Sequence, residues 1–208
     1  MSTLVIVRHG QSEGNERNEF TGWKNAPLTN KGRKESREAG ERIAAIGISF
    51  DAAFCSGLVR SIDTCRAILR ETQADRLELS QTEALNERDY GELTGMNKDE
   101  ARDRWGSDLV QEWRRSYRTR PPGGESISDT SARVLPFLLC EVIPLLLRGR
   151  MILLVAHGNS LRVVRQAIDR LTTEQMLSIE TPTAVPTIYR IGTDLTLIDK
   201  CVLTGDDR

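Results

Sequence analysis

Leu4-Val5-Ile6-Val7-Arg8-His9-Gly10 and Met151-Ile152-Leu153-Leu154-Val155-Ala156-His157-Gly158 decide the fold class. Each is a short, unbroken apolar run that stops at His-Gly. Such runs suit strands covered on both faces, as in a parallel sheet with helices on either side. The chain has 2 histidines in all, and each sits just past the end of one run. In open α/β sheets ligands bind beyond the carboxyl ends of the strands. Both histidines therefore fall at the expected mouth of a site.

Outward from these runs, strands and helices alternate. Thr29 can cap a helix running to about Ile46, residues 52–54 read as a second strand, and Leu58, Ile62, Cys65, Ile68 and Leu69 keep helical spacing over 58–70. Residues 77–79 are a candidate third strand, and the polar stretch 82–95 reads as a loop. Short helices are predicted near Lys98–Trp105 and 109–116, and Pro121-Pro122-Gly123-Gly124 breaks the chain. Ser126, with Asp129 three residues on, signals the cap of a long helix to about Leu147, which Pro136 and Pro144 should kink or interrupt. A helix follows over 160–170, Thr172 and Gln175 can cap another, and Thr187–Ile191 with 195–203 suggests a terminal hairpin. The expected class is α/β, a three-layer sandwich with a mostly parallel central sheet flanked by helices. No repeat, low-complexity tract or linker interrupts it, so residues 1–208 read as one domain.

Composition narrows the function classes. Lys+Arg number 29 against 30 Asp+Glu, a formal net charge of −1. Proteins that wrap duplexes usually carry a basic excess, so no nucleic-acid partner is expected. With 38% hydrophobic and 28% charged residues the chain reads as globular. No apolar run approaches the roughly 20 residues of a membrane helix, so no membrane partner is expected. The start has neither a charged n-region nor a long h-region, which predicts no signal peptide. Cys55, Cys65, Cys140 and Cys201 form no C-x-x-C pattern and fit reduced thiols in a cytoplasmic protein.

The chemistry begins at Arg8-His9-Gly10. A strand end holds His9 on a rigid support, Arg8 supplies a fixed cation, and Gly10 lets backbone approach a ligand closely. Neutral imidazole is a good nucleophile toward phosphorus. Alone, this tripeptide is also a common chance match. Ala156-His157-Gly158-Asn159-Ser160 repeats the arrangement. His157 is then either a second group facing the same anion, helped by the N-terminus of the following helix, or a structural histidine beside capping Asn159 and Ser160. A metal site is disfavoured, because the groups near both histidines look cationic.

Longer stretches carry a resemblance: VRHGQSEGN at 7–15, FTGW at 20–23, LT-x-x-G at 28–32, CSGLVRSIDT at 55–64, LNERDYGELTGMNK at 85–98, EWRR at 112–115 and AHGNSLR at 156–162. Over nearly its whole length the chain resembles the histidine phosphatase superfamily and, within it, the cofactor-dependent phosphoglycerate mutases. The resemblance implies that His9 becomes phosphohistidine, that Glu87 is general acid and base, and that Arg8, Arg60 and His157 grip the phosphoryl group in flight. It implies Asn15, Thr21, Gly22, Arg60, Tyr90, Lys98, Arg114, Arg115, Gly158 and Asn159 as substrate-binding residues. It further implies 2,3-bisphosphoglycerate as the cofactor that primes His9, small phosphorylated sugar acids as partners, interconversion of 2- and 3-phosphoglycerate in glycolysis and gluconeogenesis, and no metal. It admits a homodimer and a lid-like helical insertion around 90–125. Outside these motifs Glu87 would read as a solvated loop carboxylate, Arg60 as a surface arginine and Arg114-Arg115 as a solvated basic face.

One stretch departs. Pro121-Pro122-Gly123-Gly124-Glu125-Ser126 lacks the insertion of longer mutases and looks like the phosphatase branch. Hydrolysis of a small phosphate monoester is the alternative activity, because a shorter lid admits water. A phosphometabolite-binding module without a nucleophile is the alternative from another class.

Overall fold

The two apolar runs lie side by side. In a computed structural model, which describes residues 1–205, β1 (Ser2–Arg8) and β4 (Met151–Ala156) are parallel neighbours, in register from Thr3 opposite Met151 to Arg8 opposite Ala156. The last three residues of the predicted 1–208 domain lie outside the described residues. Around this pair the chain adds α1 (Glu13–Glu16), α2 (Asn30–Ala45), β2 (Ala52–Ser56), α3 (Val59–Glu71), β3 (Leu79–Thr82), α4 (Lys98–Trp105) and α5 (Ser107–Arg115). It continues with α6 (Ile127–Phe137), α7 (Ile143–Leu147), α8 (Gly158–Asp169), α9 (Thr173–Ser178), β5 (Thr187–Ile191) and β6 (Leu197–Val202). The strand order is β3-β2-β4-β1-β5-β6. β3, β2, β4 and β1 pair in parallel, while β5 runs antiparallel to both of its neighbours, as the predicted terminal hairpin requires.

Strand periodicity builds two cores from one sheet. Leu4, Ile6, Ile152, Leu154 and Phe54 face a cluster that includes Val134 and Leu138, together with Leu161 and Val164 of α8. Val5, Val7, Leu153, Val155 and Cys55 face the other way, onto Ala39 and Ile43 of α2 and Cys65 and Ile68 of α3. The helix that follows β4 thus covers one face, and the helices that follow β1 and β2 cover the other. The chain leaves β1 and β4 in opposite directions, which opens a crevice at their carboxyl ends. A third, smaller cluster of Phe20, Leu93, Ala101, Val110 and Trp113 packs α4 and α5 over the loops beside that crevice.

Local limits are corrected at three elements, the expected interruption of the long helix is located, and the membrane-length expectation is revised. The third strand is Leu79–Thr82, not 77–79: its register is set by pairing Ala53 with Leu79 through Ser56 with Thr82, and its polar Ser80 and Gln81 at the sheet edge carry no apolar signal. The long helix after Ser126 is interrupted at its prolines, as expected: a π turn at Leu138–Val142 follows Pro136, and α7 restarts with Pro144 in its first turn, where the missing N–H is tolerated. The three segments together, Ile127–Leu147, are long and apolar enough to cross a membrane, which the run-by-run reading had not allowed, yet Ile127, Val134, Leu138, Val142 and Leu146 fill the core. α5 spans Ser107–Arg115 rather than 109–116, and α8 starts at Gly158, two residues early, with His157 itself as the N-cap.

Candidate active site

The β1–β4 register brings the histidines together. The His9 N–H donates to the Ala156 carbonyl (3.0 Å), and the imidazole centroids are 4.9 Å apart. His9 Nδ1 lies 2.7 Å from the Gly10 carbonyl. A carbonyl can only accept, so Nδ1 carries the proton and Nε2 keeps its lone pair. Burial, then the fields of Arg60 and Arg8, hold the His9 pKa well below its ordinary value. The neutral, nucleophilic form is therefore the resting one.

The turn after His9 is locked by close approach. A Cβ on Gly10 would stand 2.3 Å from the Gly32 carbonyl oxygen, and one on Gly32 would stand 2.0 Å from that of Gln11. Thr29 caps α2 and accepts from the Gly32 N–H (3.0 Å), while Thr64 Oγ1 accepts from the Gly10 N–H (3.0 Å). The L-T-x-x-G motif thus serves as a backrest for the His9 turn.

His157 is fully buried, with Nε2 2.7 Å from Ser56 Oγ. Ser56 Oγ also accepts the Leu58 N–H, and its hydroxyl hydrogen is free to donate to Nε2. With Ser56 as the donor, the neutral ring carries its proton on Nδ1, a buried atom without a protein partner. Burial, followed by Arg60 and His9, lowers the His157 pKa. An anion brought close to the ring would reverse that balance and favour the imidazolium.

Cations surround the pair. Arg60, in the first turn of α3, is buried, and its Nη1 and Nη2 donate to the Lys24 and Gly22 carbonyls (2.8 Å each). Burial pushes its pKa down to about 10, with Glu87 acting in the opposite sense. Arg8 Nη1 donates to the Thr181 carbonyl (2.8 Å). Arg8 Nε, Arg60 Nε, His157 Nδ1 and Thr21 Oγ1 are all buried without a partner. Of these residues Arg8, Thr21 and Arg60 share one cavity with His9, and unpaired donors there suit an anion with several oxygens.

A polar cavity of about 80 Å³ gathers Arg8, His9, Asn15, Thr21, Gly22, Arg60, Glu87, Tyr90 and Lys98, together with Glu19 and Phe20. Larger hollows of about 410 and 430 Å³ lie along α2 and between α2 and α3, away from both histidines, so size does not locate the site here. Glu87 Oε1 accepts from the Arg88 and Asn159 N–H groups (2.8 and 3.1 Å). Asn159 Nδ2 reaches Tyr90 Oη (3.2 Å), and Gly158 stands beside Glu87 Oε2 and the Arg8 guanidinium. Asn15 Oδ1 accepts from the N–H and hydroxyl of Ser12 and so braces α1. Lys98 Nζ donates to Asn18 Oδ1 (3.2 Å), and burial, then Arg114 and Arg8, lower its pKa.

Arg114 and Arg115 part company. Arg114 is held below its ordinary pKa chiefly by burial, with Tyr90 in its field. Arg115 turns to the Leu177 carbonyl (3.1 Å) and an ion pair with Glu180 (3.0 Å), and neither arginine lines the cavity. Sequence reasoning missed Ser56 as the partner of His157. It also missed Arg88, whose buried guanidinium donates to the Trp113 and Arg114 carbonyls, and Arg162, which donates to Asn159 Oδ1 (3.0 Å). Ser56 and Arg88 meet partners on distant segments, whereas Arg162 reaches Asn159 one turn back on the same helix. Among the described residues no three His, Cys, Asp or Glu side chains are grouped to hold a metal ion.

A strand-end histidine pair ringed by arginines on a mostly parallel sheet defines a phosphoryl-handling protein. The sequence profile of the histidine phosphatase superfamily (branch 1) matches residues 4–202, and the chain belongs to that superfamily. It is 64% identical over 206 residues to a Rhizobium etli protein named 2,3-bisphosphoglycerate-dependent phosphoglycerate mutase, covering 99% of each chain. A Brucella anthropi protein of the same name is 51% identical, over 97% of this chain and 98% of that one. Among solved structures, Bacillus stearothermophilus YhfR superposes with a TM-score of 0.80 at 24% identity, over 92% of each chain. A mycobacterial glucosyl-3-phosphoglycerate phosphatase does so with 0.79 at 24%, over 97% of each. At that identity both speak to the fold alone.

Proposed function

We propose that this chain is a 2,3-bisphosphoglycerate-dependent phosphoglycerate mutase, interconverting 2- and 3-phosphoglycerate through phosphohistidine at His9. The observation that carries the reading is the unengaged His9 Nε2 in a cavity shared with the Glu87 carboxylate and lined with cations. The two relatives of that name, matched over nearly the whole chain, favour isomerisation over hydrolysis.

His9 Nε2 attacks phosphorus, and its Nδ1–H bond to Gly10 stabilises the ring as charge develops. Arg8, Arg60 and His157 Nδ1 meet the equatorial oxygens, so catalysis is mostly positioning and charge stabilisation. Glu87 gives its proton to the leaving oxygen and later takes one from the incoming hydroxyl. The unpaired donors Arg8 Nε, Arg60 Nε, Thr21 Oγ1 and His157 Nδ1 fit a polyanionic ligand. 2,3-Bisphosphoglycerate supplies the phosphoryl group that charges His9. Lys98, Asn15, Tyr90, Asn159 and Arg114 orient the sugar acid, with Gly158 leaving room beside Glu87. Arg115 joins them on release from Glu180, and α4 with α5 act as the lid of the single domain. Small phosphorylated acids in the cytoplasm are the substrates this reading requires.

A coupled assay primed with 2,3-bisphosphoglycerate, with parallel phosphate detection, tests it. Isomer formation well above phosphate release is the expected result, and it disappears with the phosphoryl adduct in His9→Ala. Phosphate release without isomers would instead mark a phosphatase.

A further inference from the structure

Arg133, on α6, lines no part of the cavity, yet it reaches the backbone on both sides of Glu87. Its side chain is only 19% exposed. Nη1 donates to the carbonyls of Glu83, Ala84 and Asn86 (3.2, 2.8 and 2.9 Å), and Nη2 donates to the Glu87 carbonyl (3.0 Å). Nε and Nη2 pair with the Glu125 carboxylate (2.9 Å each). Glu125 Oε2 accepts the Asp89 N–H (3.0 Å), and the Glu125 N–H donates to the Asp89 carbonyl (2.9 Å). From the other side Trp23 Nε1 donates to the same Glu87 carbonyl (2.6 Å).

This stretch has no sheet or α-helix to satisfy its carbonyls, and unpaired carbonyls turned inward are costly. One guanidinium, presenting a planar fork of five N–H donors, gathers four of them. Glu125 balances the buried charge, so the pair fixes backbone geometry more than it adds stability. The Pro121–Gly124 turn supports the same loop: a Cβ on Gly91 would stand 2.1 Å from the Pro122 carbonyl oxygen. The segment that sets this chain apart from longer mutases therefore buttresses the acid loop.

We infer that Arg133, braced by Glu125, is a positioning residue that aims the Glu87 carboxylate for proton transfer. The inference rests on Glu87 being the acid–base of the proposed reaction. As the His9 Nε2–P bond forms and the P–O bond breaks, an alkoxide leaving group takes the Glu87 proton. A dinitrophenolate leaves with the electron pair and needs no proton.

The test compares single-turnover phosphorylation of His9 by 2,3-bisphosphoglycerate and by 2,4-dinitrophenyl phosphate. Arg133→Ala and Arg133→Lys should slow the first donor by about 10- to 100-fold and the second by less than about threefold. Added guanidinium should restore part of the loss in Arg133→Ala, and Glu87→Gln should show the same split between donors. Because Arg133→Lys keeps the charge opposite Glu125, it reads the split even where the alanine variant folds poorly. Equal slowing with both donors, or none with either, overturns the role of Arg133. Loss of the split in Glu87→Gln itself overturns the reading of Glu87, which is a separate failure.

Discussion

At His9 one hydrogen bond decides which nitrogen is available: the Gly10 carbonyl fixes the proton on Nδ1 and leaves Nε2 free. Both histidines are kept neutral mainly by burial, with folded pKa values below the ordinary 6.5. The sign of the stability effect follows. Below pH 6.5 the unfolded chain binds protons that the native state refuses, so stability falls as pH drops through that value and is fully present above it. Each histidine contributes a slope approaching about 1.4 kcal/mol per pH unit. Denaturant unfolding at pH 7.5 and 5.5 should show the difference, and His157→Asn should reduce it; an unchanged slope in that variant would mean that His157 titrates normally. At this scale the sequence was legible where a residue's place in the cavity follows from its own motif, as with His9, Arg60 and Glu87. It was silent on Ser56 as the partner of His157, 101 residues away, and on the capture of Arg115 by Glu180, because such pairings leave no local pattern.

At the scale of elements, strands buried on both faces and helices with side-chain caps could be read directly. Met151–Ala156 and Lys98–Trp105 match their predicted limits, and Thr29 and Ser126 cap α2 and α6 as their spacing foretold. The edge strand β3 could not be read, since sheet pairing sets it, and the interruption expected at Pro136 and Pro144 was legible in place but not in its π geometry. The contact between the His9 turn and the start of α2 is a further feature of this kind. A Cβ on Gly32 would stand 2.0 Å from the Gln11 backbone oxygen, where no side chain can give way. Gly32→Ala should therefore cost about 1–3 kcal/mol by overpacking. It should also lower phosphorylation of His9, because relief must come from moving the Gly10–Gln11 backbone. Thermal unfolding together with the rate of phosphoenzyme formation checks this; a destabilised protein with an unchanged rate would separate the backrest from the nucleophile.

Across the whole molecule a formal net charge of −1 conceals a concentrated cationic site, in which Arg8, Arg60 and Lys98 share one small cavity. That concentration is possible because three separately packed bodies meet at the crevice: two cores on the sheet faces and the small Phe20–Trp113 cluster under α4 and α5. The third body is the weakest, since it buries few apolar side chains and is joined to the acid loop by Arg88, which donates to the Trp113 carbonyl. Trp113→Ala removes its largest member and should loosen α4 and α5 without opening the sheet. Amide hydrogen exchange should then quicken over Lys98–Arg115 while β1 and β4 stay protected. Water should gain access to phosphohistidine, so phosphate release per isomerisation event should rise several-fold while 2,4-dinitrophenyl phosphate still charges His9. If protection falls equally in β1 and β4, the cluster is continuous with the main cores, and α4 and α5 cannot act as a lid that opens on its own.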